Sequence, residues 1–241
     1  RPAWRRLPSA IWVMGFGSLF MDVSSELIHG LLPLFMVTTL GASMVTVGLL
    51  EGVAEATAAI TKVFSGALSD YFGRRKPPMV LGYALAALTK PIFPLADSVR
   101  WVFAARFMDR VGKGIRGAPR DALVADLTAP PLRGAAYGLR QALDSVGAVL
   151  GPLAAVLLML HFADDIRKVL WLAALPAFVA VALFVFGVRE PERAADRPAR
   201  APLRFSDAGR LPPRYWLIVA LGAVFTLARF SEAFLVLRAR D

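Results

Sequence analysis

Apolar runs of about 20 residues recur along almost the whole chain, and that repetition restricts the fold more than any other feature of the sequence. A helix rises about 1.5 Å per residue and a bilayer has a hydrocarbon core about 30 Å thick, so about 20 residues suffice to cross it. Runs of that kind lie at residues 9–39, 44–69, 79–96, 99–127, 134–160, 169–188 and 215–237, with Gly and Pro punctuating the gaps. Hydrophobic residues make up 57% of the chain and its mean hydropathy is +0.57, well above a soluble average. The expectation is an all-α integral membrane protein lying in, and partnered by, a lipid bilayer.

The formal charge of +10 would suit nucleic acid only if the basic residues shared a water-exposed face. Here they fall between apolar runs, so no nucleic-acid partner is expected. Connections rich in Arg and Lys alternate with connections that have few, as the positive-inside rule requires. One side holds Arg5, Arg6, Arg74, Arg75, Lys76, Arg120, Arg133 and the arginines from Arg189 to Arg210; the other holds Arg100, Arg167 and Lys168. This places the N-terminus and the connection after the sixth span in the cytoplasm, with a bacterial inner membrane as the expected location. The basic start resembles a signal peptide, but its apolar run continues too far and lacks a clean small-residue cleavage site.

Residues 189–214 are rich in Pro, Ala, Arg and acid and have no apolar period, so they read as a solvated linker. The expected organisation is a six-helix transmembrane bundle over 1–188, a cytoplasmic linker over 189–214 and a seventh helix over 215–241. Ser25-Glu26 late in the first span is echoed by Ser231-Glu232 in the seventh. An odd number of spans leads us to expect a piece of a larger device, completed by a missing C-terminal half or by a second copy.

Ionised side chains inside a membrane are costly, so they should face inward, find partners and mark a route. The first span carries Asp22, Ser25, Glu26 and His29 on one helical face. The second carries Glu51, Glu55 and Lys62, the fourth Arg106, Asp109, Arg110 and Lys113, and the fifth Arg140, Gln141 and Asp144. Acids and bases within the spans nearly balance, as expected if they pair. The sixth span has no charge, and the third has only Tyr83, Thr89 and Lys90 as polar interruptions. Those two are expected to face lipid, while spans one, two, four and five enclose a polar interior.

Other chemistry finds little support. The chain has no cysteine and only two histidines, His29 and His161, so neither a metal centre nor any other cofactor is expected. There is no H-E-x-x-H and no histidine near a serine nucleophile, which speaks against an enzyme. Gly112-Lys113-Gly114 lacks the spacing and the preceding strand of a phosphate loop.

The segment Gly66-Ala-Leu-Ser-Asp70-Tyr-Phe-Gly73-Arg74-Arg75-Lys76 resembles the G-x-L-x-D-R-x-G-R-K signature of the major facilitator superfamily, with Tyr71 where the family usually has Arg. Arg110-Val-Gly-Lys-Gly114 is similar to that family's R-x-x-x-G element, whose Arg is often tied to proton coupling. Gly147-Ala-Val-Leu-Gly151-Pro152 resembles its exporter and antiporter motif, though Leu153, Ala154 and Ala155 replace the later glycines. Physically, small residues four apart let helices approach, and Pro removes a backbone hydrogen bond. The resemblance implies a six-helix N-terminal half plus the first helix of a second half, and alternating access between two bundles. It assigns the Gly66, Asp70, Gly73, Arg74 and Arg75 loop to gating.

The resulting expectation is a proton-coupled exporter or antiporter of a small molecule. Asp22 and Glu26 are the expected proton carriers, because a buried carboxyl beside an arginine can be switched, and Arg110 is their expected partner. Glu51, Glu55 and Asp144 rank next, with Arg106, Asp109, Lys113 and Arg140 completing the candidate cavity. The competing readings are a channel and a non-transporting sensor or subunit. The balanced charges leave open whether the solute is a cationic drug, a divalent metal, a siderophore or an anionic metabolite.

Overall fold

The computed structural model describes residues 3–72, 74–190, 209, 212–227 and 237–238, and for 67, 68, 70–72, 226 and 227 the backbone alone. Every described element is helical: α1 (Ser9–Thr38), α2 (Met44–Phe72), α3 (Lys76–Thr89), α4 (Ile92–Leu95), α5 (Val99–Leu127), α6 (Arg133–His161), α7 (Ile166–Gly187) and α8 (Pro213–Leu227), with 3₁₀ turns at Ala3–Arg6 and Pro130–Leu132. Hydrocarbon offers no hydrogen-bond partner to a backbone, and helices satisfy their own. Among the described residues, five stretches are long and apolar enough to span a membrane: Ser9–Thr38, Met44–Gly66, Lys76–Leu95, Pro130–His161 and Ile166–Gly187.

Three expectations need adjustment. The third span, expected unbroken over 79–96, is interrupted at Lys90-Pro91, where Pro91 cannot donate an amide proton and Lys90 N instead bonds Ala87 O at 3.1 Å. The fourth forms a 29-residue helix but is too charged to count among the apolar stretches, and its ionised groups are held by neighbouring helices. The seventh is described as a helix over Pro213–Leu227, while 228–236 and most of the expected linker lie outside the described residues.

Helix α1 packs against α6 and α7, α5 packs against α2 and α3, and α3 also meets α7. One apolar cluster gathers Leu27, Ile28, Leu32, Phe35, Phe93 and Val102; the other gathers Ile11, Met14, Met21, Met79, Tyr83 and Phe184. Glycines set the closest approaches: a Cβ on Gly82 of α3 would lie 2.6 Å from Gly112 O of α5, and one on Gly112 would lie 2.7 Å from Gly82 O. Leu81 and Leu88 of α3 and Leu175 and Phe186 of α7 remain exposed, as lipid-facing groups should be.

The expectation that the third span simply faces lipid is corrected on its other side. Tyr83, Thr89 and Lys90 are buried, Lys90 to 1% exposure. Outside the membrane spans, Asp165 caps α7 by accepting from Lys168 N at 3.2 Å, and its side-chain bond to Lys168 holds its carboxyl below the usual carboxylate range.

Candidate functional site

Helical spacing decides which charges meet. Residues three, four or seven apart share a face, so Asp22 and Glu26 of α1, Glu55 and Lys62 of α2, Lys113, Arg116 and Arg120 of α5, and Gln141, Asp144, Ser145 and Ala148 of α6 form four polar faces. In the fold these faces turn toward one another and line a cavity of about 470 Å³. Spans one, two, four and five thus surround a common polar interior, as their sequences suggested.

Small residues make the enclosure possible. A Cβ on Gly151 would lie 2.7 Å from Glu26 Cβ and 3.0 Å from Val23 O, and one on Gly147 would lie 2.8 Å from Leu19 O and 3.0 Å from Asp22 Cβ. The glycine pair before Pro152 therefore seats α6 directly on the α1 backbone at the roots of the Asp22 and Glu26 side chains. Across the cavity, a Cβ on Gly114 would meet Ala58 O of α2 at 2.9 Å, so α5 and α2 also approach closely.

Beside the cavity lies a buried ion network joining α1, α2, α3 and α5. Asp109 accepts from Lys90 Nζ at 2.9 Å and stands 4.0 Å from Arg106 and 3.9 Å from Arg110. Arg106 donates to Glu51 at 2.9 Å, and Glu51 also meets His29 Nε2 at 3.2 Å. His29 Nδ1 is 3.6 Å from Glu26, which links this network to the cavity wall. Arg106 and Asp109 are 1% and 3% exposed, so mutual pairing is what makes their charge tolerable.

One expected pairing is overturned. Arg110 binds Glu55 at 3.1 Å and stands near Asp109, while neither Asp22 nor Glu26 is within ion-pair distance of it. The cause is rotational: Arg110 sits on the α5 face toward α2, Asp109 turns toward Lys90 at the end of α3, and the cavity-lining part of α5 begins one turn later at Lys113. Asp22 has no ion pair within 4 Å among the described residues; its charged neighbours are Asp144, Arg116, Arg120 and Lys113. Arg140 donates to Asp144 at 2.7 Å within α6.

Gly66 ends the apolar part of α2 and packs near Ala118, whose Cβ would be 3.3 Å from an added Cβ. Asp70 is in the last turn of α2, its side chain outside the described atoms, and Gly73 lies outside the described residues. Arg74 is exposed, whereas Arg75 Nη1 donates to Ser69 at 2.9 Å and its Nε stands 3.7 Å from Asp126 of α5. Glu190, just after α7, accepts from the backbone N–H groups of Arg75 and Lys76 at the start of α3.

Reading the sequence for candidates missed four groups. Arg120 reaches Ser18 Oγ at 3.2 Å and Tyr83 Oη at 3.3 Å, and Arg116 lies over the Tyr83 ring at 4.4 Å. The charge pattern alone puts Arg120 with the cytoplasmic bases and does not single out Arg116, although their three- and seven-residue offsets from Lys113 place both on its face. Lys62 and Gln141 were noted as polar but not as cavity lining. His29, part of the α1 stripe, proves to bridge two acids from different helices.

Stacked apolar helices around an enclosed set of charges define a multi-pass membrane protein with an internal polar cavity. Residues 14–238 match the Major Facilitator Superfamily, and the chain belongs to that family, one of transporters and not of enzymes. It is 32% identical over 240 residues to an uncharacterized MFS-type transporter of Methanocaldococcus jannaschii, covering 98% of this chain and 58% of that protein. It is 34% identical over 178 residues to the multidrug resistance protein MdtH of Proteus mirabilis, covering 74% of this chain and 41% of the relative. A crystal structure of a POT peptide transporter with alafosfalin superposes with a TM-score of 0.70 at 20% identity, over 95% of this chain and 48% of that one. The human organic anion transporter MFSD10 gives 0.66 at 21% identity, over 86% and 53%. The chain spans about half the length of the relatives it matches.

Proposed function

We propose that this chain forms the N-terminal half of a secondary active transporter that moves a small molecule by alternating access, as a proton-coupled exporter or antiporter. In this reading 1–188 is the first bundle, 189–214 a cytoplasmic linker and 215–241 the start of a second bundle that closes the other side of the cavity. The observation that carries it is Asp22: a carboxylate on the cavity wall, held by no ion pair within 4 Å among the described residues, facing Asp144, Arg116, Arg120 and Lys113. A group placed so can exchange a proton with cavity water without first breaking a bond. Each gain or loss of that proton changes the balance of the four faces, which biases the opening.

Glu26 is the second carrier, joined through His29 to Glu51 and so to the buried network behind the cavity. Arg110 serves as a fixed strut for Glu55, and the cations opposite Asp22 are Lys113, Arg116 and Arg120. Export is supported by the Gly147-to-Pro152 motif and by the likeness to a multidrug resistance protein. A cytoplasmic N-terminus is supported by the basic connections.

The test is transport by the full-length protein in proteoliposomes under an imposed pH gradient. Asp22→Asn should abolish gradient-driven uptake or release while leaving the folded protein and downhill exchange in place. Undiminished coupling in both Asp22→Asn and Glu26→Gln refutes the carrier assignment, and non-saturating flux without proton movement marks a channel instead.

A further inference from the structure

Balanced charges in the sequence leave the sign of the solute open, and the pairing in the fold favours one sign. Of the acids on or beside the cavity, Glu26 is met by His29, Glu55 by Arg110, Glu51 by Arg106 and Asp144 by Arg140. Asp22 alone among them lacks an ion-pair partner within 4 Å among the described residues. On the basic side, Lys62, Lys113 and Arg116 all line the cavity and none has a hydrogen-bonded or ion-paired side chain among the described residues. Among the described residues on the cavity wall, unpaired positive charge therefore exceeds unpaired negative charge.

These three bases are also neighbours. Lys113 and Arg116 are one turn apart on α5, and the Lys62 stem of α2 lies over Gly117, with its Cε 3.5 Å from where a Cβ would be. Arg116 is 6% exposed, and its Nη1 has no acceptor, an expensive omission for a buried donor unless something else supplies one. Its ring contact with Tyr83 fixes the guanidinium plane. A rigid fork flanked by two exposed ammonium groups suits an oxyanion, which accepts several charge-assisted bonds at once.

We infer that Lys62, Lys113 and Arg116 form a binding subsite for an anionic group, a carboxylate or a phosphate, on the transported solute. The inference rests on the transport reading of the same cavity and adds the chemical class of what enters it. Asp22 then lies opposite the subsite, so that a proton on Asp22 and an anion on the bases alter the same charge balance.

The test is isothermal titration of the detergent-solubilised full-length protein with three probes: succinate, inorganic phosphate and tetraphenylphosphonium. One of the two anions is expected to bind, and which one separates carboxylate from phosphate recognition. Lys62→Gln with Lys113→Gln should weaken that anion by about tenfold to a hundredfold, and Lys62→Arg with Lys113→Arg should restore it. Both lysines are exposed to the cavity, so the neutral variant is expected to fold. Binding of neither anion, or equal affinity in the Gln variant, overturns the subsite and makes these bases counterions for acids of the second bundle. Gradient-driven transport of tetraphenylphosphonium at the same rate in the Gln variant also overturns it while leaving the transport reading intact. Loss of all pH-gradient-driven flux in the unaltered protein defeats that reading itself.

Discussion

Asp109→Leu should destabilise the bundle by about 3–5 kcal/mol, the cost of leaving buried charge without its partner. Asp109 is the anion shared by Lys90 at 2.9 Å, Arg110 at 3.9 Å and Arg106 at 4.0 Å, so its removal takes a counter-charge from three cations. Arg106 keeps Glu51 and Arg110 keeps Glu55, but Lys90, at 1% exposure, keeps only Ser25 at 3.1 Å. Adding Lys90→Met to Asp109→Leu should therefore recover a large part of the loss, because an apolar pair of similar volume can replace a buried ion pair at little cost. Unfolding titrations of the single and double variants in mixed micelles measure both. A single variant within 1 kcal/mol of the parent, an order of magnitude typical of exposed pairs, would show that the network is wet and not buried.

Gly151→Ala gives the second large effect, with a sign opposite to helix propensity. An alanine in a helix interior is ordinarily more favourable than glycine by about 1 kcal/mol. At Gly151 the added carbon would stand 2.7 Å from Glu26 Cβ, 3.0 Å from Val23 O and 3.1 Å from Leu27 N, and the backbone of α1 cannot yield as a flexible side chain could. The expected cost is about 1–3 kcal/mol, with α6 pushed away from the carboxylates it covers. Gly138, on the same helix with nothing within 4 Å of an added Cβ, is the control: Gly138→Ala should be neutral or stabilising. Thermal denaturation of the two variants side by side separates contact from propensity, and equal shifts in both would mean that α1 and α6 do not meet at Gly151.

These two sites illustrate what the sequence discloses and what it withholds. Repeated apolar length announced the helices, and the spacing of Asp22, Glu26, Glu55, Lys113 and Asp144 announced polar faces on spans one, two, four and five, because period and length are local properties. The glycines before Pro152 were legible as packing residues, but that they seat on Asp22 and Glu26 depends on the register between α1 and α6. The same limit produced the mistaken pairing of Arg110: the pattern placed it on an interior face, and only the rotation of α5 against α2 decides between Glu55 and Asp22. Lys90 looked like an interruption in a lipid-facing span because its partner lies 19 residues away on another helix. Pro91 was visible throughout, and the break beside it follows from its missing donor.

The most direct test of a water-accessible polar cavity uses the absence of cysteine from this chain. Single cysteines at Ala58, Gln141 and Ala148, all on the cavity wall, and at Leu81, Leu175 and Phe186, all on the outer face, can be treated with a charged, water-soluble thiol reagent in membranes. The account predicts rapid modification of the first three, slowed by an anion bound at Lys62, Lys113 and Arg116, and negligible modification of the last three. Modification of the outer positions with protection of the cavity positions would contradict it.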